Sequence, residues 1–370
     1  MKLSSVTLYL ISSDLKRPFH NALGMLKKRE AIIVEVKDEN GISGWGEVVA
    51  FSTPWYTEET IFTSLYTLKT FLIPLLKEHP HLNHPAELAS LFAGVRGHHM
   101  AKSGLEGAIW DLYSRRMKQP LSIIVGGTRA SIEAGIVIAS DRIESALEQL
   151  KEYKAEGYKR FKLKINRKNV LSFLDAIRAD HPDVPLMADA NSSFTLDDLP
   201  LLRQLDQYKL LMIEQPFSYE DLADHRLLQA EIKTPVCLDE SITSYNAARN
   251  AVALGSCEII SVKMGRMGGW QQALQLHSFA QEANIRLWCG GMIEFGISKA
   301  HNIALSSLPG FTLPGDFSPS EHYWEHDILT EPITVKNGEI EVSKQPGIGY
   351  EVDRYRLKQL TDYTEMISLQ

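Results

Sequence analysis

The sequence predicts an α/β protein: a parallel (β/α) barrel of the TIM type preceded by a compact α+β unit. Three observations predict it. From Ile132 onward, short apolar runs alternate with amphipathic helical stripes. The alternation repeats at about 25 residues, the length of one tight strand–helix unit. Ahead of it, strands come first and helices follow, the pattern of a separate α+β layer. A chain of 370 residues has room for two domains.

The first unit begins with apolar, β-branched runs at Val6 to Ser12 and Ala31 to Lys37. Asp38-Glu39-Asn40-Gly41 is a hairpin turn signal, and Ser43 to Phe51 is the partner strand. Thr57 reads as an N-cap for a helix running to Leu76. A second helix spans about Ala101 to Met117, with Leu105, Ala108, Ile109 and Leu112 on one face, and Gly126-Gly127 ends the region. In the second unit the expected strands are Gly135 to Ala139, Phe161 to Ile165, Val184 to Ala190, Leu210 to Glu214, Val236 to Asp239, Ile259 to Lys263, Ile285 to Trp288 and Phe311 to Leu313. The helical stripes between them include Ile143, Ala146, Leu147 and Leu150, and then Val170, Phe173, Leu174 and Ile177. Repeated strand–helix units demand parallel strands with right-handed crossovers. Eight such strands close into a barrel. A doubly wound open sheet is the alternative, but no Gly-rich dinucleotide loop follows an early strand.

Lys164, Asp189, Glu214, Asp239 and Lys263 recur at the ends of successive strands. In a barrel those ends converge at one mouth. A lone Asp or Lys at a strand end is ordinarily solvated or a helix cap; five in register are not. Three carboxylates forced together repel unless a cation neutralises them, and an all-oxygen donor set selects a hard ion, Mg²⁺ before Zn²⁺. A lysine beside a divalent cation loses its proton more readily. Lys162 shares a face with Lys164 and adds to that effect. A neutral lysine beside a metal-bound carboxylate is equipped to remove the proton α to it, the metal stabilising the enediolate. Asn191 points the same way as Asp189, toward a ligand or substrate or into an Asx-turn. Gly290-Gly291 offers backbone N–H groups to a substrate oxygen, or makes a turn. Glu240 should point away from the mouth on strand alternation. His277, on an apolar helical face, reads as structural.

The ladder stands in Lys162-Leu-Lys164, Met187-Ala-Asp189-Ala-Asn191, Ile213-Glu214-Gln-Pro216, Leu238-Asp239-Glu240-Ser241 and Val262-Lys263. Together these resemble the enolase superfamily, muconate-lactonising subgroup, whose known chemistry is a Lys or His base with Mg²⁺. Gly44-Trp-Gly-Glu47, Pro54-Trp-Tyr-Thr-Glu58, Leu287-Trp-Cys-Gly-Gly-Met292, Ile297-Ser298, Leu313-Pro-Gly-Asp316 and Tyr323-Trp324 are similar to the o-succinylbenzoate synthase and N-succinylamino acid racemase family. The resemblance covers nearly the whole chain. It implies a modified (β/α)₇β barrel over residues 126–324, with an α+β capping domain of residues 1–125 completed by residues 325–370. Loops near Leu23-Gly24-Met25 and Ser52 to Tyr56 are expected to close over the substrate. By position, Asp189, Glu214 and Asp239 bind one Mg²⁺, for which Mn²⁺ substitutes. Lys164 takes the α-proton and returns it to the departing hydroxyl in a syn elimination, while Lys263 stays protonated beside the enediolate. In a racemase the two lysines trade protons across one carbon. The expected substrate contacts are Lys162, Asn191, Gly291 and Met292. Asn166-Arg-Lys-Asn169 replaces the Pro-Gly turn common in relatives, Phe295 stands where a smaller residue is common, and Arg266 resembles racemising relatives and is placed to tune Lys263.

The reaction so implied is Mg²⁺-dependent dehydration of 2-succinyl-6-hydroxy-2,4-cyclohexadiene-1-carboxylate to 2-succinylbenzoate in menaquinone biosynthesis. Racemisation of N-succinylamino acids is the alternative, alone or as a second activity. A silent binding protein on the same barrel is a third reading, which the intact ladder opposes. The partner is a small carboxylate molecule, and the resemblance is compatible with a homo-oligomer. The remaining composition excludes other classes. With 39 Lys and Arg against 46 Asp and Glu, the net charge of −7 opposes nucleic-acid binding. The stretch Ile61 to Leu76 is broken by Ser64, Thr67, Lys69 and Thr70, so no membrane span is expected. Only Cys237, Cys257 and Cys289 are present and Met1 to Ser5 opens no signal peptide, which predicts a cytoplasmic chain without disulfides.

Overall fold

The computed structural model describes residues 1–21 and 24–370. Two long strands, β1 (Leu3–Asn21) and β2 (Gly24–Asp38), pair antiparallel with Val6 opposite Val36 and Leu8 opposite Val34. Strand alternation splits their apolar residues between two faces: Val6, Leu8, Ile32, Val34 and Val36 enter one buried cluster, and Ile11, Ala31 and Ile33 another. The expected turn forms: the Asp38 carboxylate accepts from the N–H groups of Asn40 and Ile42, both at 2.9 Å. It leads into β3 (Ser43–Val48). Of the expected closing loop at Leu23-Gly24-Met25, Leu23 lies outside the described residues, and Gly24 and Met25 open β2.

The helix after β3 starts later than expected. Thr60, not Thr57, is its N-cap, in a reciprocal capping box with Thr63. The helix runs Ile61–Thr67, widens into a π-turn over Leu68–Leu72, and continues as Ile73–Glu78. Pro74 explains the widening, because it lacks an N–H and its ring crowds the turn before it. The helix His99–Arg116 lies across β3 so closely that a Cβ on Gly46 would sit 2.0 Å from the Gly104 carbonyl.

Eight parallel strands follow: β4 (Ser131–Ile138), β5 (Arg160–Lys164), β6 (Leu186–Asp189), β7 (Ile213–Glu214), β8 (Val236–Leu238), β9 (Ile259–Val262), β10 (Arg286–Cys289) and β11 (Gly315–Asp316). Each pairs with the next from β4 to β10, and β11 pairs with β4. A single parallel bridge between Leu287 and Phe311 nearly closes the ring. The eighth strand is thus Gly315–Asp316, later than the expected Phe311 to Leu313. The apolar run there makes only that isolated bridge to β10, whereas the ladder to β4 forms past Pro314. Helices cover the outside, and Val170, Phe173, Leu174 and Ile177 are buried on one such stripe, each contributing about 1.5–3 kcal/mol. After the barrel, β12 (Glu339–Glu341) pairs with β4, and β13 (Thr361–Ser368) returns to β1 with Ile367 opposite Val6. The N-terminal sheet therefore has the order β13-β1-β2-β3. Among the described residues no helix is long and apolar enough to cross a membrane.

Strand alternation builds the inside of the barrel in layers. Met187, Met212, Cys237, Ile259 and Trp288 form a buried apolar cluster in its lumen. Asp189, Glu214 and Asp239 lie two residues beyond Met187, Met212 and Cys237 and so face the same interior one layer up.

Two buried carboxylates from the N-terminal unit fasten it to the barrel by capping barrel helices. Glu47 of β3 accepts from the N–H groups of Phe295 and Ser298, both at 2.9 Å, at the start of helix Gly296–Ser306. Glu106 accepts from Gln271 N–H at 2.9 Å, at the start of helix Trp270–Glu282. A helix N-terminus carries orphan donors and partial positive charge. Burial, with Glu294 adding to it, pushes the Glu47 carboxyl up to about 8 against its backbone donors and Arg29. A carboxyl raised in the folded state contributes stability fully present below the ordinary glutamate range, which is lost as pH rises through about 8. Glu47→Gln should therefore flatten the fall in unfolding free energy between about pH 5 and pH 8, read from denaturant titrations. Glu47→Ala strips two N–H groups of their acceptor and should cost about 1–3 kcal/mol in the same measurement.

Candidate active site

The mouth of the barrel is built from the ends of β5 to β9. Lys164 closes β5, Asp189 closes β6 and Glu214 closes β7, while Asp239 and Lys263 stand one residue past β8 and β9. All three carboxylates are buried, so each needs a compensating cation or proton.

The two flanking lysines are held alike. Lys164 Nζ donates to Asp189 Oδ2 and to Asn191 Oδ1, both at 2.6 Å. Lys263 Nζ donates to Asp239 Oδ2 at 2.8 Å and to the Tyr56 hydroxyl at 2.9 Å. Arg266 Nη1 donates to the other Asp239 oxygen, so Asp239 carries two cations. Burial opposes the ionised Asp239, but Arg266 and then Lys263 hold it well below the usual carboxylate range. Burial likewise opposes the Lys263 charge, and Asp239 reverses that and holds its ammonium above the ordinary lysine range.

Glu214 is different. Among the described residues neither of its carboxylate oxygens accepts a hydrogen bond, though Lys162 Nζ stands 3.0 Å from Oε2. Burial first, and then Asp189, push its carboxyl well above the usual range. A buried carboxylate without donors is where a hard cation is wanted, and the donor chemistry of Asp189, Glu214 and Asp239 fits one. As the side chains stand they form no ready cage: no three His, Cys, Asp or Glu among the described residues converge closely enough to hold an ion. Asp189 and Asp239 are instead turned onto ammonium and guanidinium groups of the protein itself.

Lys162 lies one layer below the mouth. Its ammonium is 2.6 Å from Asp316 Oδ2, 3.0 Å from Glu214 and 3.4 Å from Asp189, and 4.8 Å from the centre of the Trp288 ring. Burial opposes its charge, but Asp316, Glu214 and Asp189 hold it well above the ordinary lysine range. It is a fixed internal cation, 3% exposed. Asp316 also accepts from Arg160 Nη2 at 2.7 Å and is held down to about 2 by Lys162 and Arg160 against its burial. Asp316 continues the ladder onto the eighth strand. Sequence reasoning missed it because that strand was expected before Pro314 and because β10 ends in Cys289, which breaks the repeat.

The remaining expected residues fall as follows. Asn191 adopts φ +40 and links Lys164 to Glu240, its Nδ2 donating to Glu240 Oε1 at 3.0 Å. Glu240 therefore does not point away from the mouth. Strand β8 ends at Leu238, so pleat alternation no longer governs residues 239 and 240. Burial, with Asp239 and Asp189 adding to it, pushes the Glu240 carboxyl up to about 7. Gly291 is half-buried beside Asp316. Met292 is buried in the core of the N-terminal unit, its N–H donating to Glu294 at 2.5 Å. Phe295 is fully buried and stacks on Trp324 with ring centres 4.1 Å apart. His277 accepts from Gly310 N–H at 3.0 Å and stacks on Phe311. Tyr56, expected only as part of a closing loop, reaches Lys263 directly, a contact across 207 residues that no local pattern announces.

A parallel barrel whose successive strand ends carry Lys, Asp, Glu, Asp and Lys beneath an α+β cap defines an enolase-type protein. The chain belongs to that family. Residues 5–126 match the mandelate racemase/muconate lactonizing enzyme N-terminal domain, and residues 145–356 match the enolase C-terminal domain-like family. It is 48% identical to an o-succinylbenzoate synthase of Bacillus subtilis over 354 residues, 96% of this chain and 95% of that protein. It is 39% identical to an N-succinylamino acid racemase of Thermus thermophilus, covering 94% of each chain. A solved enolase-superfamily protein of Listeria innocua superposes with a TM-score of 0.97 at 39% identity, over 100% of both chains.

The close packing at Lys263 yields a test. A Cβ on Gly290 would lie 2.7 Å from both Lys263 Cε and Ser261 Oγ. Gly290→Ala should therefore displace the Lys263 side chain and lower kcat by about 10²-fold while the thermal melt moves only a few degrees.

Proposed function

We propose that the chain is an o-succinylbenzoate synthase, a carbon–oxygen lyase that dehydrates 2-succinyl-6-hydroxy-2,4-cyclohexadiene-1-carboxylate to 2-succinylbenzoate in menaquinone synthesis. The observation that carries the reading is the set Lys164, Asp189, Glu214, Asp239 and Lys263 on five neighbouring strand ends, in a chain 48% identical to a protein of that name. Asp189, Glu214 and Asp239 would hold one Mg²⁺. When bound, the ion supplies positive charge that acidifies the proton α to the substrate carboxylate.

The other steps belong to the chain's own groups. Lys164 is the more open of the two lysines, its side chain 30% exposed. In its neutral form it takes the α-proton, and the resulting ammonium then delivers a proton to the departing hydroxyl on the same face. Asp189 and Asn191 fix the direction of its Nζ. In the dehydration the Lys263 ammonium, seated on Asp239 and Tyr56, faces the developing negative charge from the other side. Lys162 and Arg160, locked on Asp316, supply constant positive charge beneath the carboxylates.

A second activity, racemisation of N-succinylamino acids, is favoured by a specific observation. The two lysines are held in matching fashion, each on one aspartate plus one neutral oxygen, so either is placed to exchange a proton at a carbon between them. The 39% identical racemase supports this reading.

Lys164→Ala should lower the dehydration rate by at least about 10³-fold while the protein still folds and binds Mg²⁺ by calorimetry. Retained dehydration would remove Lys164 from the mechanism. Chelation should abolish turnover, with recovery on adding Mg²⁺ or Mn²⁺; full activity in excess chelator would contradict the metal assignment.

A further inference from the structure

The two lysines differ in what holds them. Among the described residues, Lys164 is held by barrel residues, Asp189 and Asn191. Lys263 takes its second partner from the N-terminal unit: its ammonium donates to the Tyr56 hydroxyl at 2.9 Å and lies 4.8 Å from the centre of the Tyr56 ring. Arg266 Nη1 donates to the same hydroxyl at 2.7 Å, and that hydroxyl stands 3.5 Å from Asp239 Oδ2. The phenol oxygen thus accepts from both cations that serve Asp239, and its own proton is aimed at that carboxylate.

The segment that carries Tyr56 is anchored against the segment that carries Lys263. A Cβ on Gly265, two residues after Lys263, would meet Val49 Cγ2 at 2.4 Å, so the chain leaving β3 lies directly on the turn Met264–Met267. Phe51, Trp55 and Tyr56 pack together with ring centres 4.5 to 6.1 Å apart. Arg29 donates to the carbonyls of Val49 and Ala50, both at 2.6 Å, and stands over the Phe51 ring. The Tyr56 ring therefore has a fixed seat, and its hydroxyl is a fixed acceptor.

We propose that Tyr56 is a positioning residue for Lys263 alone, supplied by the N-terminal unit, so that the two faces of the substrate carbon depend on different parts of the molecule. The inference rests on the two-lysine reading of the site. An ammonium nitrogen on a flexible four-carbon stem has rotamer freedom to lose. Without the phenol oxygen, Nζ has Asp239 as its remaining acceptor and collapses onto it, away from the carbon. Among the described residues, Lys164 takes both its partners from the barrel.

The test uses proton exchange. In D₂O, a lysine removes the α-proton of one enantiomer: the C–H bond breaks, its electron pair passes into the carboxylate, and the same lysine returns a deuteron. Each enantiomer of N-succinylphenylalanine presents its proton to one lysine, and Lys263→Ala identifies which enantiomer depends on Lys263. Tyr56→Phe keeps the ring and removes only the hydroxyl. The expected result is a shift of about 10-fold or more in the ratio of the two exchange rates, against the enantiomer that Lys263→Ala silences, with an unchanged thermal melt. Equal loss for both enantiomers would assign Tyr56 to general packing or binding and overturn the proposal, as would no change for either. Absence of exchange in the unmodified chain on both enantiomers, with dehydration intact, would overturn the two-face assignment while sparing the lyase reading. Absence of both activities would overturn that reading as well.

Discussion

Three carboxylates gathered in one buried ring is the constraint to which the rest of the molecule answers. Asp189, Glu214 and Asp239 are each 1% exposed or less, and like charges at such separations cannot stay ionised without cations close by. The protein surrounds them with its own. Lys164 and Lys263 flank the ring, Arg266 backs Asp239, and Lys162 rises through the centre from below. Of the three, Glu214 accepts no hydrogen bond among the described residues, which leaves it the member with an unmet need. The same low-dielectric surroundings that make this arrangement costly strengthen each interaction a reacting carboxylate would meet there.

The barrel sets the ring and the N-terminal unit completes it. Glu47 and Glu106 fasten that unit to two barrel helices through their N-termini, and Tyr56 carries it into the ring itself. The β13 strand ties the end of the chain to β1 at its beginning. The cap is therefore more than a cover, because one of its hydroxyls is a partner of an ionised group at the mouth.

Much of this was legible in the sequence. A strand repeats its inward face every second residue, so a charge at the end of each unit of about 25 residues had to land on one rim. The placing of the five ladder residues on one rim follows from that alone. What was not legible has physical causes. Thr57 and Thr60 are equally good caps in composition, and only the reciprocal bond with Thr63 chooses between them. Pleat alternation misdirects Glu240 because the chain is no longer a strand there. Hydropathy points to the most apolar run for the eighth strand, whereas its pairing with β4 begins after Pro314 and brings in Asp316. Tyr56 meets Lys263 only because two domains pack, and no periodicity encodes such a contact.

Metal-assisted proton removal next to a carboxylate is the chemistry proposed for the carboxylate ring and its lysines. It is tested most directly by steady-state kinetics on one preparation with both substrates, the cyclohexadiene carboxylate and an N-succinylamino acid, with and without Mg²⁺. The account predicts Mg²⁺-dependent formation of 2-succinylbenzoate with kcat/KM of about 10⁴ M⁻¹ s⁻¹ or more, and racemisation by the same site. No Mg²⁺-dependent turnover of either substrate would contradict it.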